Sequence, residues 1–410
     1  MKDKQLIVSL TSWSKRIGNI PIVLDTIFAQ TVQPDAIVIN LSLDEFPTRE
    51  LPANVQSYID AYDRIHVNWV VHDTRVWKKF LPTLLLYPDA LILPIDDDIL
   101  YPTTMIEDFM RAHAKYPDRP ISGNHYWYKG IKAHCGCASL VQAKHFEGWQ
   151  KYYKHSFRIS CPSSDLFYTY LAAKNGYFYA ETEVDYMSTI VSYNEVDGYS
   201  ASFPKNRLRV SRAAIYKAFG VEVTRLFKDG DDKPFCVLGS MQTELGKVIE
   251  EELLAWLTPR FNVYLVRHDG RAFEYTAIKL LKDVMSRQDK PCFYLHTKGA
   301  FYTRKVSHRV RNMWRHEFAA MQDKYLRAVE GDTPKVACPY TGSDKVTWYN
   351  GWCANAAAIR EMNLIKTDDR FFYEYMLFKS AEVIGLRMNN INSPKEERAI
   401  MHQDLRACFD

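Results

Sequence analysis

Three adjacent aspartates, Asp96, Asp97 and Asp98, follow the apolar run LILPI and precede Ile99-Leu100-Tyr101-Pro102. Neighbouring carboxylates repel one another, and the repulsion is tolerable where a divalent cation or a cationic partner neutralises them. Carboxylates at the C-terminal end of a strand stand where open α/β sheets bind ligands. Mg²⁺ or Mn²⁺ held by one or two of them, with substrate phosphates, is the expected arrangement. The competing reading is a solvated acidic turn or helix cap, where Asp is also favoured. A second polar group ends the run CFYLHTKGAFY, as His296, Thr297, Lys298 and Gly299. From Lys298 to His316 the chain carries Lys298, Arg304, Lys305, Arg309, Arg311 and Arg315 and no acid. Such a run suits a diphosphate or a phospholipid-linked acceptor, an anionic membrane surface, or a solvated helix face. His134-Cys135-Gly136-Cys137 is a poor zinc site, because no second Cys/His pair lies nearby.

These residues need elements to hold them. In the first half Leu6 to Leu10, Ala36 to Leu41 and Ala90 to Ile95 read as buried strands, and Ile22 to Gln30 has helical spacing. Ile65, Val67, Trp69 and Val71 alternate with polar residues, the period of a half-buried strand. In the second half strands are expected at Phe235 to Leu238, Phe261 to Val266 and Cys292 to Leu295. Helices are expected at Leu245 to Leu257, with Glu250, Glu251 and Glu252 on the wet side, and at Tyr275 to Met285. Strands alternating with helices imply a mostly parallel sheet covered on both faces. The polar stretch from Phe219 to Pro234 reads as a linker. The expected organisation is a domain over 1–218, a linker over 219–234 and a domain over 235–410.

A chain of 410 residues suits two or three domains. Its 47% hydrophobic and 25% charged residues exclude disorder as the main state. A net charge of +4 argues against a dedicated nucleic-acid binder. The most apolar stretch, Leu81 to Ile95, is broken by Pro82, Pro88, Asp89 and Pro94, so no run reaches the roughly 18–20 residues of a membrane span. The N-terminal apolar run is too short for a signal peptide, and the expected location is the cytoplasm with reduced thiols.

The segment from Leu6 to about Pro102 resembles bacterial glycosyltransferases of the GT-A fold, family-2-like. The pieces that carry the resemblance are VSLTSWSKRI, QTVQPDAIVINLSLDEFP and, most specifically, HDTRVWKKFLPTLLLYPDALILPIDDDILYP. The resemblance covers roughly the first 200 residues. It implies a nucleotide-sugar donor, a UDP-sugar foremost, a divalent metal (Mn²⁺ or Mg²⁺), and transfer of a sugar to a growing glycan. It also implies roles. Asp98 binds the metal, with Asp96 near the donor and able to share the ion, and Asp97 lies between them. Thr11, Ser12 and Trp13 frame the nucleotide base. Asp44 or Glu45 meets base or ribose, and Arg75, Lys78 and Lys79 face the donor. SSDLFYTYLAAKNGYFYA resembles the stretch where the family places an acid before a helix, which makes Asp165 the base candidate; helix N-cap is its other reading.

From about Phe235 to Phe378 the chain resembles a second glycosyltransferase-like domain of lipopolysaccharide and capsule enzymes. CFYLHTKGAFY, WYNGWCANAAAIREMN and DDRFFYEYMLF carry that resemblance. There His296, Thr297 and Lys298 stand where the acidic motif is usual. Lys298 and His296 cannot hold Mg²⁺ but could neutralise a diphosphate directly. Glu374 is the base candidate, with Asp368 and Asp369 as alternatives. The resemblances together imply two GT-A-like, Rossmann-like α/β domains in tandem, with one or both active. The implied partners are a nucleotide sugar and an oligosaccharide or lipid-linked acceptor, with peripheral association at the inner face of the membrane. The alternatives are one active domain beside a glycan-binding module, or a metal-dependent sugar-nucleotide phosphohydrolase.

Overall fold

Leu6–Thr11 is apolar and almost wholly buried, and it forms the central strand β1. β2 (Ala36–Ser42), buried along its whole length, pairs with it in parallel. β3 (Ile65–Val70) extends the sheet beyond β2, and β4 (Leu91–Pro94) lies on the other side of β1. The result is an all-parallel sheet in the order β3-β2-β1-β4. α1 (Ile20–Phe28) starts with Pro21 in its first turn and buries Ile20, Val23, Leu24 and Ile27. That is the i, i+3, i+4, i+7 stripe that packs a helix on a sheet. α2 (Ala53–Asp60), α3 (Leu81–Leu86), α4 (Met105–Lys115) and α5 (Ser164–Lys174) complete the described helices that bear on this unit's site.

The computed structural model describes residues 4–125, 127–128, 131–132, 139–152, 164–186, 191–192, 213, 215–270, 274–298, 300, 305–342, 347–367, 369, 372–375, 377–391 and 394–409. His134, Cys135, Gly136, Cys137, Gly299, Arg304 and Asp368, singled out in the sequence, lie outside these. The chain divides into two compact units, Met1–Ala218 and Phe219–Asp410.

Among the described residues the second unit carries seven strands. They are β5 (Val221–Arg225), β6 (Phe235–Met241), β7 (Asn262–His268), β8 (Cys292–His296), β9 (Lys335–Gly342), β10 (Trp352–Ala354) and β11 (Glu382–Ile391). Their order is β5-β7-β6-β8-β10-β9-β11. β6 pairs in parallel with β7 and β8, and β9 with β11, while β5–β7, β8–β10 and β9–β10 are antiparallel. The sheet is therefore mixed, not mostly parallel. The expected linker also differs: Val221–Arg225 is a buried edge strand, because its five residues pair along β7.

α6 (Glu244–Leu257) and α7 (Tyr275–Met285) bury apolar stripes against this sheet. Thr243 caps α6, its hydroxyl accepting from the Gly246 amide at 2.9 Å. Glu250 is not on the wet side: it is buried, accepting from Arg267 and from the Ser240 hydroxyl. A buried carboxylate needs such partners. Cys236, Cys292, Cys338 and Cys353 are free, buried thiols of β6, β8, β9 and β10, while Cys408 is exposed. Among the described residues no helix is long and apolar enough to cross a membrane.

Candidate functional site

In the first unit the order β3-β2-β1-β4 reverses direction between β1 and β4. The crevice outside the carboxyl ends of two such strands is where open α/β sheets take ligands. The loop after β1 and the acidic triplet after β4 meet there. Ser12 donates its hydroxyl to Asp97 Oδ2. Arg16 spans two acids, with Nη2 on Asp97 Oδ1 and Nη1 2.8 Å from Asp98 Oδ2. Lys79 Nζ lies on Asp96 Oδ1, and the Asp96 amide donates to the Tyr101 hydroxyl at 2.8 Å.

The three acids thus differ. Asp97 is buried with both oxygens engaged, so it braces the loop after β1 and does not face a ligand. Asp96 Oδ2 and Asp98 Oδ1 accept no hydrogen bond among the described residues. Burial pushes the Asp97 carboxyl up against the pull of Arg16. Burial, then the neighbouring Asp96, pushes Asp98 up to about 6 despite Arg16. This donor set fits a divalent cation that draws its other ligands from a substrate. Among the described residues no group of three or more His, Cys, Asp or Glu is arranged to hold a metal alone.

A polar knot inside the sheet fixes Lys79. Ser9 Oγ donates to the Lys79 carbonyl and lies 2.6 Å from Thr83 Oγ1. Asn40 Nδ2 donates to Thr83 Oγ1 at 2.9 Å, and Asn68 Nδ2 to Asn40 Oδ1 at 2.8 Å. Such buried groups are retained where each finds a partner. The knot clamps the short 3-10 helix Arg75–Lys79 across β1 and β2.

The other expected residues spread out. Thr11 Oγ1 donates to the Asn40 carbonyl at 2.7 Å, and Trp13 is half-buried with the Lys15 ammonium 5.2 Å from its ring centre. Asp44 is exposed and accepts from the Asp73 amide at 2.8 Å, while Glu45 accepts from Ser14 Oγ at 2.8 Å. Lys78 is buried and paired with Asp73, so it does not face outward in this structure. Arg75 is exposed in the left-handed region, at φ 53°. Asp165 stands in the first turn of α5, whose Phe167 and Tyr168 rings lie 5.0 and 5.3 Å from Trp77. Sequence reasoning missed Arg16. Its signal was an arginine four residues beyond Ser12 in the loop after a central strand.

In the second unit His296 and Lys298 end β8. His296 Nε2 lies 3.6 Å from Glu274, and Lys298 Nζ lies 3.7 Å from Glu374 and 5.6 Å from the Tyr349 ring centre. Thr297 is buried, its hydroxyl accepting from the Met241 amide at 3.0 Å. Burial, then Lys298, holds the His296 imidazole well below its ordinary range. Tyr349 and Asn350 are consecutive left-handed residues, at φ 64° and 51°. Strain of this kind concentrates at working sites. Glu274 is the acid that sequence reasoning did not find. Of the basic run, Arg309 is buried and Arg311 pairs with Glu252 at 3.1 Å, which leaves Arg315 on the wet side.

The backbone at Gly351 is pressed onto the fully buried Trp314 indole. A Cβ there would overlap Trp314 Nε1. Gly351→Ala should therefore cost about 1–3 kcal/mol through overpacking, read as a lower melting temperature. His268, at the end of β7, accepts from the Gly270 amide at 3.2 Å, and burial holds it down at about 4, against 6.5 ordinarily. A group that resists protonation in the folded chain adds stability that is complete above pH ~6.5 and lost as pH falls towards 4. Unfolding in urea should lose up to about 3 kcal/mol from this group between pH 7 and 4, and His268→Gln should remove that share.

The fold and the first site define an α/β chain with an acid-and-cation cluster at the switch point of a parallel sheet. No family profile matches the chain. No curated protein matches it either. Among solved structures, it is similar to a mannosyltransferase from Pyrobaculum calidifontis in complex with GDP-Man and Mn²⁺, at 15% identity and a TM-score of 0.33. That match covers 52% of this chain, and the chain spans 62% of that enzyme's length. It is also similar to S. aureus TarS in complex with UDP-GlcNAc, at 12% identity and a TM-score of 0.34, over 78% of this chain and 89% of that one. A third is the apo form of the glycosyltransferase GlyE of Streptococcus pneumoniae, at 13% identity and a TM-score of 0.29, over 70% and 84%.

Proposed function

We propose that the chain is a glycosyltransferase whose first unit, of GT-A type, moves a sugar from a nucleotide-sugar donor to a growing bacterial surface glycan. The observation that carries this reading is the acidic triplet at the switch point of the parallel sheet, with one oxygen each of Asp96 and Asp98 left for a ligand. Asp98 and Asp96 would hold Mn²⁺ or Mg²⁺ with the donor diphosphate. The ion, when bound, offsets charge developing on the nucleoside diphosphate as it leaves. Lys79 would orient Asp96, and Arg75 and Trp13 are proposed to meet the nucleotide. Asp165 is the proposed base, taking the proton of the acceptor hydroxyl as the new bond forms.

The second unit is proposed as a second glycosyltransferase-like module in the same cytoplasmic chain, working at the inner face of the membrane on an oligosaccharide or lipid-linked acceptor. The gathering of His296, Lys298, Glu274 and Glu374 at the end of β8 favours a working site there over a passive module. Lys298 would neutralise a diphosphate without metal, and Glu374 would serve as base. The test is nucleotide release from UDP-, GDP- and CMP-sugars, with Mn²⁺ and with EDTA. Release from one donor that EDTA abolishes is the result expected of the first unit, and release that survives EDTA is the result expected of the second. No release from any donor, with a panel of glycan acceptors present, overturns the reading.

A further inference from the structure

We infer that Arg16 is a resident counter-ion that couples entry of a divalent cation to binding of a nucleoside diphosphate. The inference rests on the donor-site reading above. Arg16 lies in the turn after β1, where its amide donates to the Trp13 carbonyl at 2.9 Å and its carbonyl accepts from the Asn19 amide at 2.9 Å. Its side chain is 11% exposed. The guanidinium therefore enters the triplet from a fixed backbone, and its planar fork bridges two acids as a lysine cannot. Nη2 is committed to the buried Asp97. Nη1, on Asp98 Oδ2, occupies the carboxylate assigned to the metal.

A cation arriving alone meets an acid already paired and a like charge beside it. A cation arriving with a diphosphate brings anionic oxygens that take up Nη1 as it leaves Asp98, while the pair with Asp97 holds the arginine in place. Metal and nucleotide then favour each other's binding, by the same factor in both directions. Arg16 is a positioning residue in this scheme, not a catalytic one.

The experiment measures Mn²⁺ binding to the full chain by electron paramagnetic resonance of the free ion, alone and with UDP or GDP. In the parent chain nucleotide should tighten Mn²⁺ binding about tenfold or more. Arg16→Gln should bind Mn²⁺ alone about tenfold tighter than the parent, with the nucleotide effect shrunk accordingly. A purely structural arginine would not give tighter binding on removal. Arg16→Lys, which keeps a charge but reaches one acid, should lie between, and it decides the matter if Arg16→Gln does not fold. Equal or weaker binding of Mn²⁺ alone by the folded variants overturns the inference and leaves the donor site standing. Absence of Mn²⁺ binding from parent and variants, with either nucleotide, overturns the donor-site reading together with the inference.

Discussion

Asp97→Ala should lower the unfolding free energy of the chain by about 3–5 kcal/mol, the range found when one partner of a buried pair is removed. Asp97 is buried and receives the Ser12 hydroxyl and the Arg16 guanidinium. Its loss leaves Arg16, whose Nε is already buried without a partner, with Asp98 alone. The Ser12 hydroxyl loses its acceptor in the same step. Burial pushes Asp97 towards its neutral form, so the carboxyl itself is costly to hold. The cost of removing it is therefore the cost of a guanidinium left half-matched, which exceeds a typical surface substitution several-fold. Equilibrium urea denaturation checks this, and a midpoint within error of the parent's would sink it.

The second large effect falls on activity. Asp98→Asn should reduce nucleotide-sugar turnover about 10²–10³-fold, the usual cost of one preorganised charge at a site of developing negative charge. Stability should change by no more than about 1 kcal/mol, because Asp98 keeps 20% of its side chain exposed and amide and carboxyl have the same shape. Burial and Asp96 already press Asp98 towards the neutral state. On the proposed function neighbouring positions separate, with stability expected to follow Asp97 and turnover Asp98. Turnover measured beside a thermal melt distinguishes them, and a variant at position 98 with parental turnover would remove the metal role from this acid.

Much of this arrangement is legible in the residues. Continuous apolar runs locate β1, β2 and β4, and the alternation from Ile65 locates β3, because burial on one or both faces writes itself directly into spacing. The helix expected over Tyr275 to Met285 has those bounds in the structure. The acidic triplet stands at the end of its strand for the same reason. Other features are invisible locally. Val221–Arg225 sits beside glycines and charges, and only pairing with β7 makes it a strand. Glu250 reads as a wet-side acid until Arg267, on the adjacent strand, reaches it. β10 runs antiparallel to both β8 and β9, which makes the second sheet mixed in a way that no periodicity announces. Arg16 and the triplet are 80 residues apart or more, and their meeting depends on β1 and β4 being neighbours.

The four buried thiols of the second unit give the sheet its own clock. Cys236, Cys292, Cys338 and Cys353 lie on four successive strands at its centre, and burial holds each thiol in the protonated, unreactive form. An alkylating reagent reaches them only when those strands part, whereas Cys408 is accessible throughout. The rate at which they are modified in the unaltered chain therefore reports how often the middle of that sheet opens.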